Sequence, residues 1–438
     1  MTDARSSAKD DSNGATFLKS SRAMRVRLPS FISGWLSLIL ALMLLGQSTV
    51  VVAAPDQVLY EQAQKAQSGL LKTLETLVNI DSGTGNQKGL TQVEDLVIEQ
   101  LKAVGADVQT LAATPSAGRI ILATVRGTGK GKILLLAHTD TVFKAGTAAQ
   151  RPFTIVAGKA YGPGVMDDKG GMLFGIETLR ILQARQFKDF HTITFLLNPD
   201  EEQGSFGSRA LIKQTAQKHD VALVLEFGSP QDKVTAWRKG IGYYGLEVKG
   251  RAAHAGAAPE QGCNALLEAA YQTLKLSKLS DRSKQTTVNV TVFQSGDRAN
   301  TIPDSATVQA DVRVLEAQEY LRLERDFVRL TQNKLLPCTA IKVRAEQGRP
   351  PFPPNPQTAA LVKQAQAIYQ TLGLKLGVEG SGGGTDGNYA ASVGTPTLDA
   401  LGPVGGGAHG PEEYIDLERL APRLYLLTKL LIALGSAT

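Results

Sequence analysis

Cysteine is scarce in this chain of 438 residues, which contains only Cys263 and Cys338. Neither residue belongs to a Cys-x-x-Cys pair, so the sequence gives no indication of a cysteine-ligated metal. Two cysteines also cannot build the disulfide framework that holds many small secreted domains together. The fold must therefore depend on its hydrophobic core, and a single bond between the two cysteines is left open.

A strong excess of charge of one sign is also lacking. The formal net charge is +6, but residues 1–54 hold six Lys and Arg against three Asp, and the rest of the chain has 41 basic and 38 acidic residues. This balance argues against nucleic acid as a partner. With 42% hydrophobic and 20% charged residues, the chain is long enough for two or three domains with cores of their own.

The N-terminal region has the pattern of a secretory signal. No charged residue lies between Arg27 and Asp56, and the run from Trp35 to Leu45 is strongly apolar and is followed by small residues ending at Ala54. Basic residues ahead of a short apolar run predict a signal peptide with an N-terminal extension over 1–54, and so an exported protein, periplasmic or secreted. The alternative is an uncleaved membrane anchor, because the uncharged run is long enough to span a bilayer.

The rest of the chain is predicted to be an α/β protein with an insertion. From residue 57 to about 237, apolar strand patterns alternate with helical patterns, which is typical of a mostly parallel sheet covered by helices. Between 240 and 344 the order becomes βαββαβ, which indicates a ferredoxin-like α+β domain. A proline-rich hinge at 349–356 returns the chain to the first pattern. The predicted domains are therefore 55–237 and 350–438 for one domain and 238–349 for the insertion.

Three apolar strands end in side chains that can bind metal. One strand runs into His138 and Asp140, a second into Glu201 and Glu202, and a third into Glu226. Ligand sites in open α/β sheets lie at the carboxyl ends of strands, so these groups are expected to converge. One acidic strand end is usually a solvated loop, but three of them with a histidine indicate a site.

Two further candidates lie in glycine-rich loops. Asp167 lies in the turn YGPGVMDDKGG at the start of a predicted helix, and His409 lies in the loop GGGAHG. Alone, Asp167 could be a helix cap and His409 a solvated loop residue. Two histidines and three carboxylates from such a set would supply nitrogen and oxygen ligands that suit two zinc ions sharing a bridging carboxylate. Of the adjacent pair Glu201 and Glu202, one could bind metal while the other acts as a base, and Asp140 could fix the tautomer of His138.

With these residues in this order, the sequence resembles the M20 metallopeptidase family, and especially its glutamate carboxypeptidase branch of the carboxypeptidase G2 type. The resemblance covers nearly all of the chain after the signal, and its motifs occur in the order of the family: LLLAHTDTV, YGPGVMDDKGG, NPDEEQGSFGSR, AAHAGAAPE, NTIPDSATVQADVR, GRPPF and GGGTDGNYA. It implies a zinc-peptidase catalytic domain and an inserted domain, or lid, that forms a homodimer.

The resemblance also implies a role for each candidate residue. His138 and Glu226 would bind one zinc, Glu202 and His409 the other, and Asp167 would bridge the two ions. Glu201 would be the general base and acid, acting on a metal-activated water, and Asp140 would orient His138. His254, in AAHAGAAPE, would reach the active site of the partner subunit and stabilise the oxyanion.

The same resemblance implies a pocket for the free carboxylate of the leaving residue. Its residues would be Asn300, Arg313, Arg349, Gly384 and Thr385, and the planar fork of Arg349 suits a carboxylate. The expected reaction is release of a C-terminal glutamate or similar amino acid from an N-acyl or peptidyl substrate.

The sequence departs from the branch in two places. The stretch ending Arg238-Lys239-Gly240 and the pair Phe227-Gly228 differ from its usual residues, so folate-type substrates are not assumed. A broader M20 aminoacylase or dipeptidase is the alternative function, and a non-catalytic binding protein is a third.

Overall fold

The computed structural model of the protein describes residues 54–436, so the predicted signal peptide lies outside the described residues except for Ala54. Within the described part, no helix is both long and apolar enough to cross a membrane. The helices are α1 Gln57–Val78, α2 Gln87–Ala103, α3 Thr147–Gln150, α4 Lys169–Ala184, α5 Arg209–Ala216, α6 Ala265–Leu276, α7 Gln318–Gln332, α8 Pro356–Thr371, α9 Gly387–Ser392 and α10 Leu420–Gly435.

Eighteen strands accompany these helices in the described part of the chain. They are β1 Asp107–Ala112, β2 Arg119–Arg126, β3 Lys132–His138, β4 Thr154–Val156, β5 Lys159–Tyr161, β6 Thr192–Asn198, β7 Val221–Val224, β8 Lys233–Arg238, β9 Gly240–Lys249, β10 Ala253–His254, β11 Thr287–Ser295, β12 Thr301–Ile302, β13 Ser305–Val314, β14 Ala340–Gln347, β15 Gly377–Ser381, β16 Thr397–Leu398, β17 Gly405–Gly406 and β18 Tyr414–Asp416.

The central sheet has the strand order β1-β2-β6-β3-β7-β16. Strands β6, β3, β7 and β16 run parallel, and β1 and β2 are antiparallel additions at one edge. Ile133 and Leu135 of β3 belong to the main core, whereas Leu134 and Leu136 belong to a second core on the other face. A strand covered on both faces must be apolar throughout, which explains the sequence KILLLA and confirms the predicted mostly parallel sheet.

The inserted segment forms a separate antiparallel sheet with the order β11-β13-β9-β14. Helices α6 and α7 pack on it, and a core that includes Tyr244, Val308, Leu323 and Phe327 lies between sheet and helices. The strand order and the two helices match a ferredoxin-like α+β fold, as the βαββαβ pattern predicts.

The two chain crossings next to the inserted segment lie side by side. Arg238 and Phe352 exchange backbone hydrogen bonds of 2.8 and 2.9 Å, and the N–H of Ile241 donates to the carbonyl of Arg349 at 2.9 Å. The chain therefore enters and leaves the inserted segment through two strands of backbone that are hydrogen-bonded to each other. The predicted boundaries at 238 and 349, and the start of the predicted proline-rich hinge, lie in this paired region.

Cys263 and Cys338 form a disulfide bond, with their Cα atoms 6.1 Å apart. The bond joins the segment ahead of α6 to the segment ahead of β14 and lies entirely within the inserted segment. The pairing that the sequence left open is therefore made in the structure.

Another four-stranded sheet positions the loops of two candidate metal ligands. It has the order β17-β18-β5-β4. Strand β5 leads into the turn that contains Asp167, and His409 lies in the loop between β17 and β18. Because β18 pairs with β5 through Tyr414 and Tyr161, the two loops leave adjacent strands of one sheet.

Candidate active site

Three strands of the central sheet deliver side chains to one edge. Strand β3 ends at His138, β6 is followed by a short 3₁₀ turn at Glu201–Gln203, and Glu226 lies two residues after β7. Strand β3 pairs in parallel with both β6 and β7, so the three carboxyl ends are neighbours. Convergence at this edge is what the strand endings predict.

Asp167 lies between two histidines. Its Oδ1 is 3.0 Å from Nε2 of His138, and its Oδ2 is 3.1 Å from Nε2 of His409. Glu226 Oε1 is 3.7 Å from Nε2 of His138, and Glu202 Oε2 is 3.4 Å from Nε2 of His409. The five predicted metal ligands are thus brought together as two groups, with one oxygen of Asp167 facing each group.

The carboxylates of this cluster are crowded and largely removed from water. Asp167, Glu201 and Glu226 are buried, and burial raises the pKa of Glu226 well above its usual range. Oε1 of Glu202 is buried and has no hydrogen-bond partner among the described residues. Several buried carboxylates are costly to assemble without a cation, and an unused carboxylate oxygen is a ready ligand.

The donor set fits a divalent metal. Potential ligand atoms of His138, Asp167 and Glu202, one from each, lie within 4.8 Å of one another, and so do those of His138, Glu201 and Glu226. Two imidazole nitrogens with carboxylate oxygens suit zinc and similar ions. The cluster is therefore a possible metal-binding site.

Asp140 holds three parts of the cluster. Its Oδ1 is 3.2 Å from Nδ1 of His138 and accepts the N–H of Glu201 at 3.1 Å, and its Oδ2 accepts the N–H of Glu202 at 3.2 Å. A carboxylate that binds Nδ1 leaves Nε2 of His138 with its lone pair toward the metal site. The sequence predicts the contact with His138 but not the two contacts with the backbone of Glu201 and Glu202.

Glu201 is paired with Arg349. Nη2 of Arg349 is 2.7 Å from Oε1 of Glu201, and Nη1 is 2.8 Å from Oδ1 of Asp386. Burial raises the pKa of Glu201 to about 8, although the charge of Arg349 opposes the rise. A carboxyl group with a pKa near neutrality can both accept and return a proton. The guanidinium of Arg349 is therefore engaged with the predicted base and with Asp386.

His254 and Asn300 lie together on the inserted segment. The antiparallel pair β10 and β12 joins His254 to Thr301, and the N–H of Ala255 donates to the carbonyl of Asn300. His254 is exposed, and its Nδ1 accepts the N–H groups of Gly256 and Ala257 at 3.2 and 3.0 Å. Since Nδ1 is an acceptor, the proton of the neutral ring lies on Nε2, which is a donor.

The remaining pocket candidates lie around the loop before α9. Arg313 forms a salt bridge with Asp311 and donates to the carbonyl of Gly382 at 3.2 Å. Gly384 lies against Arg349, because a Cβ on it would be 2.9 Å from Cδ of the arginine. Thr385 uses its hydroxyl on Asp399 at 2.6 Å and its N–H on Asn388 at 2.9 Å. Thr385 was predicted to line the carboxylate pocket, but both its hydroxyl and its N–H already donate hydrogen bonds within the protein.

Several residues that sequence reasoning missed support the site. Oδ2 of Asp168 accepts the N–H of His138 at 3.2 Å, and Ser205 donates to Asp386 at 2.5 Å. The carboxylate of Glu413 accepts the N–H groups of Met166 and Asp167 at 2.9 and 3.1 Å. Glu413 follows His409 closely, but its contacts cross 246 residues of sequence and have no local pattern.

Comparisons with known proteins show the family of this chain. Residues 134–433 match the family model described as peptidase family M20/M25/M40. The chain is 39% identical over 395 residues to carboxypeptidase G2 of Pseudomonas sp. strain RS-16, with 89% of this chain and 94% of that protein covered. It is 29% identical over 361 residues to acetylornithine deacetylase of Proteus mirabilis strain HI4320, covering 77% of this chain and 88% of that protein.

Solved structures share the fold. A crystal structure of aminopeptidase PepT from Bacillus cereus is similar with a TM-score of 0.71 at 23% identity, covering 84% of this chain and 98% of that chain. A tripeptidase structure from Staphylococcus aureus is similar with a TM-score of 0.73 at 22% identity, covering 85% and 99%. Because the family model spans more than half of the sequence, this chain belongs to the M20/M25/M40 peptidase family and is a hydrolase of that family.

Proposed function

We propose that this protein is a metal-dependent carboxypeptidase that hydrolyses the amide bond before a C-terminal glutamate or similar amino acid. The observation that carries the proposal is Asp167, which faces His138 with one oxygen and His409 with the other, close to Glu201 and its partner Arg349. The 39% identity to carboxypeptidase G2 supports the choice of substrate class.

Two zinc ions per chain are the proposed cofactors. His138 and Glu226 would hold one ion, Glu202 and His409 the other, and Asp167 would bridge them. When bound, divalent ions in such a site polarise the scissile carbonyl and lower the pKa of water. The unpartnered oxygen of Glu202 and the raised pKa of buried Glu226 support a cation here.

Glu201 is the proposed proton carrier. Its carboxylate would take a proton from the attacking water and return it to the nitrogen of the leaving amino acid. Asp140, which accepts the N–H of Glu201 and that of Glu202, would fix the position of base and ligand together. Burial of the Glu201 side chain favours this role because a dry carboxyl group is a stronger base than a solvated one.

Arg349 is the proposed partner of the substrate carboxylate. Its guanidinium lies between Glu201 and Asp386, at the loop that contains Gly384. A free carboxylate can replace Glu201 as the partner of Nη2 and release the base for catalysis. Arg313, Asn300 and Gly384 would complete the pocket, and Thr385 would support it through Asp399 and Asn388.

The substrate class can be tested with a panel of N-acyl amino acids that have Glu, Asp, Ala, Leu or Lys as leaving residue. Release of glutamate is expected to be fastest, and the α-amide of N-acyl glutamate is expected to react at least about a hundredfold more slowly, because a buried charge pair is lost. Amino acid release is measured by chromatography. Equal rates with all five residues would favour the aminoacylase or dipeptidase alternative, and equal rates with the α-amide would refute the role of Arg349.

Export and dimerisation are part of the proposal. The pattern of residues 1–54 and the disulfide between Cys263 and Cys338 support a periplasmic or secreted protein, because such bonds persist in oxidising compartments. The exposed position of His254 on the inserted segment supports a homodimer in which it acts on the partner subunit. N-terminal sequencing of the exported protein would contradict processing if the apolar run from Trp35 to Leu45 were still attached.

A further inference from the structure

Glu413 is a buried carboxylate without a role in the proposed reaction. Its side chain has no exposed surface, and it immediately precedes β18 in the sheet β17-β18-β5-β4. A buried acid must find hydrogen-bond donors, since an unpaired carboxylate is costly to remove from water. Its donors therefore indicate what it does.

All three donors belong to the turn that presents Asp167. Oε1 of Glu413 accepts the N–H of Met166 at 2.9 Å and that of Asp167 at 3.1 Å, and Oε2 accepts the N–H of Gly164 at 3.1 Å. The turn is irregular, with φ values of +149° at Gly162 and +72° at Gly164, so it lacks the regular pairing of a helix or strand. The carboxylate supplies the acceptors that this backbone needs.

The loop that contains Glu413 also contains the predicted metal ligand His409. The loop between β17 and β18 contains both residues, and Arg151 donates to the carbonyl of Gly410 within it at 3.1 Å. At the end of the turn, Nζ of Lys169 donates to the carbonyls of Ile80 and Pro163 at 2.8 and 3.3 Å. The turn of Asp167 is thus held by Lys169 and by Glu413, and Glu413 is the link to the His409 loop.

We propose that Glu413 is a positioning residue that fixes Asp167 relative to His409 and so sets the affinity of the site for a divalent metal. This inference rests on the proposed metal site. Three hydrogen bonds to successive parts of one turn restrain the direction in which the Asp167 carboxylate leaves the backbone. Loss of them would let the bridging oxygens move away from the two histidines.

The test is the zinc affinity of Glu413→Ala and Glu413→Gln, measured by competition with a chromophoric chelator on the full, oxidised protein. Alanine is expected to weaken zinc binding by about 10- to 100-fold, as does removal of residues that orient metal ligands. Glutamine is expected to fall between alanine and the wild type. Its carbonyl oxygen can still accept from Met166 and Asp167, whereas its amide group faces the N–H of Gly164.

Glu94→Gln is the matched control. Glu94 is also fully buried, and it accepts the backbone N–H of Arg119 at 2.9 Å and the side-chain Nε of the same residue at 2.7 Å. Its substitution is expected to lower the melting temperature without changing zinc affinity. A purely structural role for Glu413 would give the same result as this control.

The outcomes separate the two proposals. Zinc affinity of the alanine variant within about twofold of the wild type would overturn the role of Glu413. If that variant does not fold, wild-type zinc affinity in the glutamine variant would overturn it instead. Failure of the wild-type protein itself to bind zinc would refute the proposed function, whatever the variants do.

Discussion

Replacing Glu201 with glutamine is expected to lower kcat by on the order of 10²- to 10⁴-fold, with the protein folded and its metal still bound. Glutamine has nearly the same shape but cannot accept the proton of the attacking water. The side chain contacts Arg349 through Oε1, and its backbone N–H donates to Asp140, so the amide should keep the local structure. The effect should therefore appear in kcat and not in metal content.

Steady-state release of glutamate and metal analysis of the same samples check this prediction. Glu94→Gln serves as the control, because Glu94 is also buried and, among the described residues, its carboxylate accepts hydrogen bonds from Arg119 and not from the cluster. The turnover of Glu94→Gln is expected to remain within about twofold of the wild type, because this substitution changes no residue of the site. Near-wild-type turnover of Glu201→Gln with metal bound would exclude Glu201 as the base.

The second large effect is expected at His254. Removal of one oxyanion donor costs about 10²- to 10³-fold in kcat, so His254→Ala should lose activity while its own metal cluster is unchanged. The ring is exposed, and its Nδ1 is engaged with Gly256 and Ala257, which leaves the Nε2 proton pointing away from its own loop. A donor in this state suits the active site of a second chain.

A heterodimer of two inactive chains tests that arrangement. One chain carries His254→Ala and the other Glu201→Gln, and two affinity tags isolate the mixed dimer after co-expression. If His254 acts across the interface, one of the two sites has all its groups, and about half of wild-type activity per dimer is expected. If His254 acts within its own chain, neither site is complete, and the mixed dimer should be as inactive as its parents.

Strongly apolar strands made the metal cluster predictable from the sequence. Strands β3, β6 and β7 are buried on both faces and are therefore apolar throughout, so the sequence shows clearly where each strand ends. The side chains at 138, 201, 202 and 226 lie at or just after these ends. The parallel sheet then brings these ends together without further information. The glycine-rich loops marked Asp167 and His409 as candidates, but their separate roles came from the family resemblance, because irregular loops give no pattern that fixes where a side chain lies.

Other elements were less visible because their signals are weak or distant. Strand β1, DVQTLA, is an edge strand with mostly exposed residues, so no alternation of apolar residues marks it. Helix α1 begins at Gln57, where Asp56 caps it by accepting the N–H of Leu59. Its first half buries only Leu59 and Ala63, too few apolar residues for a pattern.

Long-range polar pairs were the least predictable. Arg349 was expected to bind the carboxylate of a substrate, and in the structure it is buried against the carboxylates of Glu201 and Asp386. Residue type alone could indicate that an arginine binds a carboxylate, but not which carboxylate. Glu413 escaped notice for the same reason, since its contacts with the Asp167 turn exist only in the folded chain.

The most direct test of metal-dependent hydrolysis is glutamate release by metal-free enzyme as zinc is added back. The enzyme is stripped with a chelator, freed of chelator by gel filtration and assayed with an N-acyl glutamate. No release above background is expected before zinc is added, and recovery is expected to level off near two equivalents per chain, because the ions supply the polarisation that the protein residues cannot. Undiminished release from the metal-free enzyme would contradict the proposed metal-dependent hydrolysis.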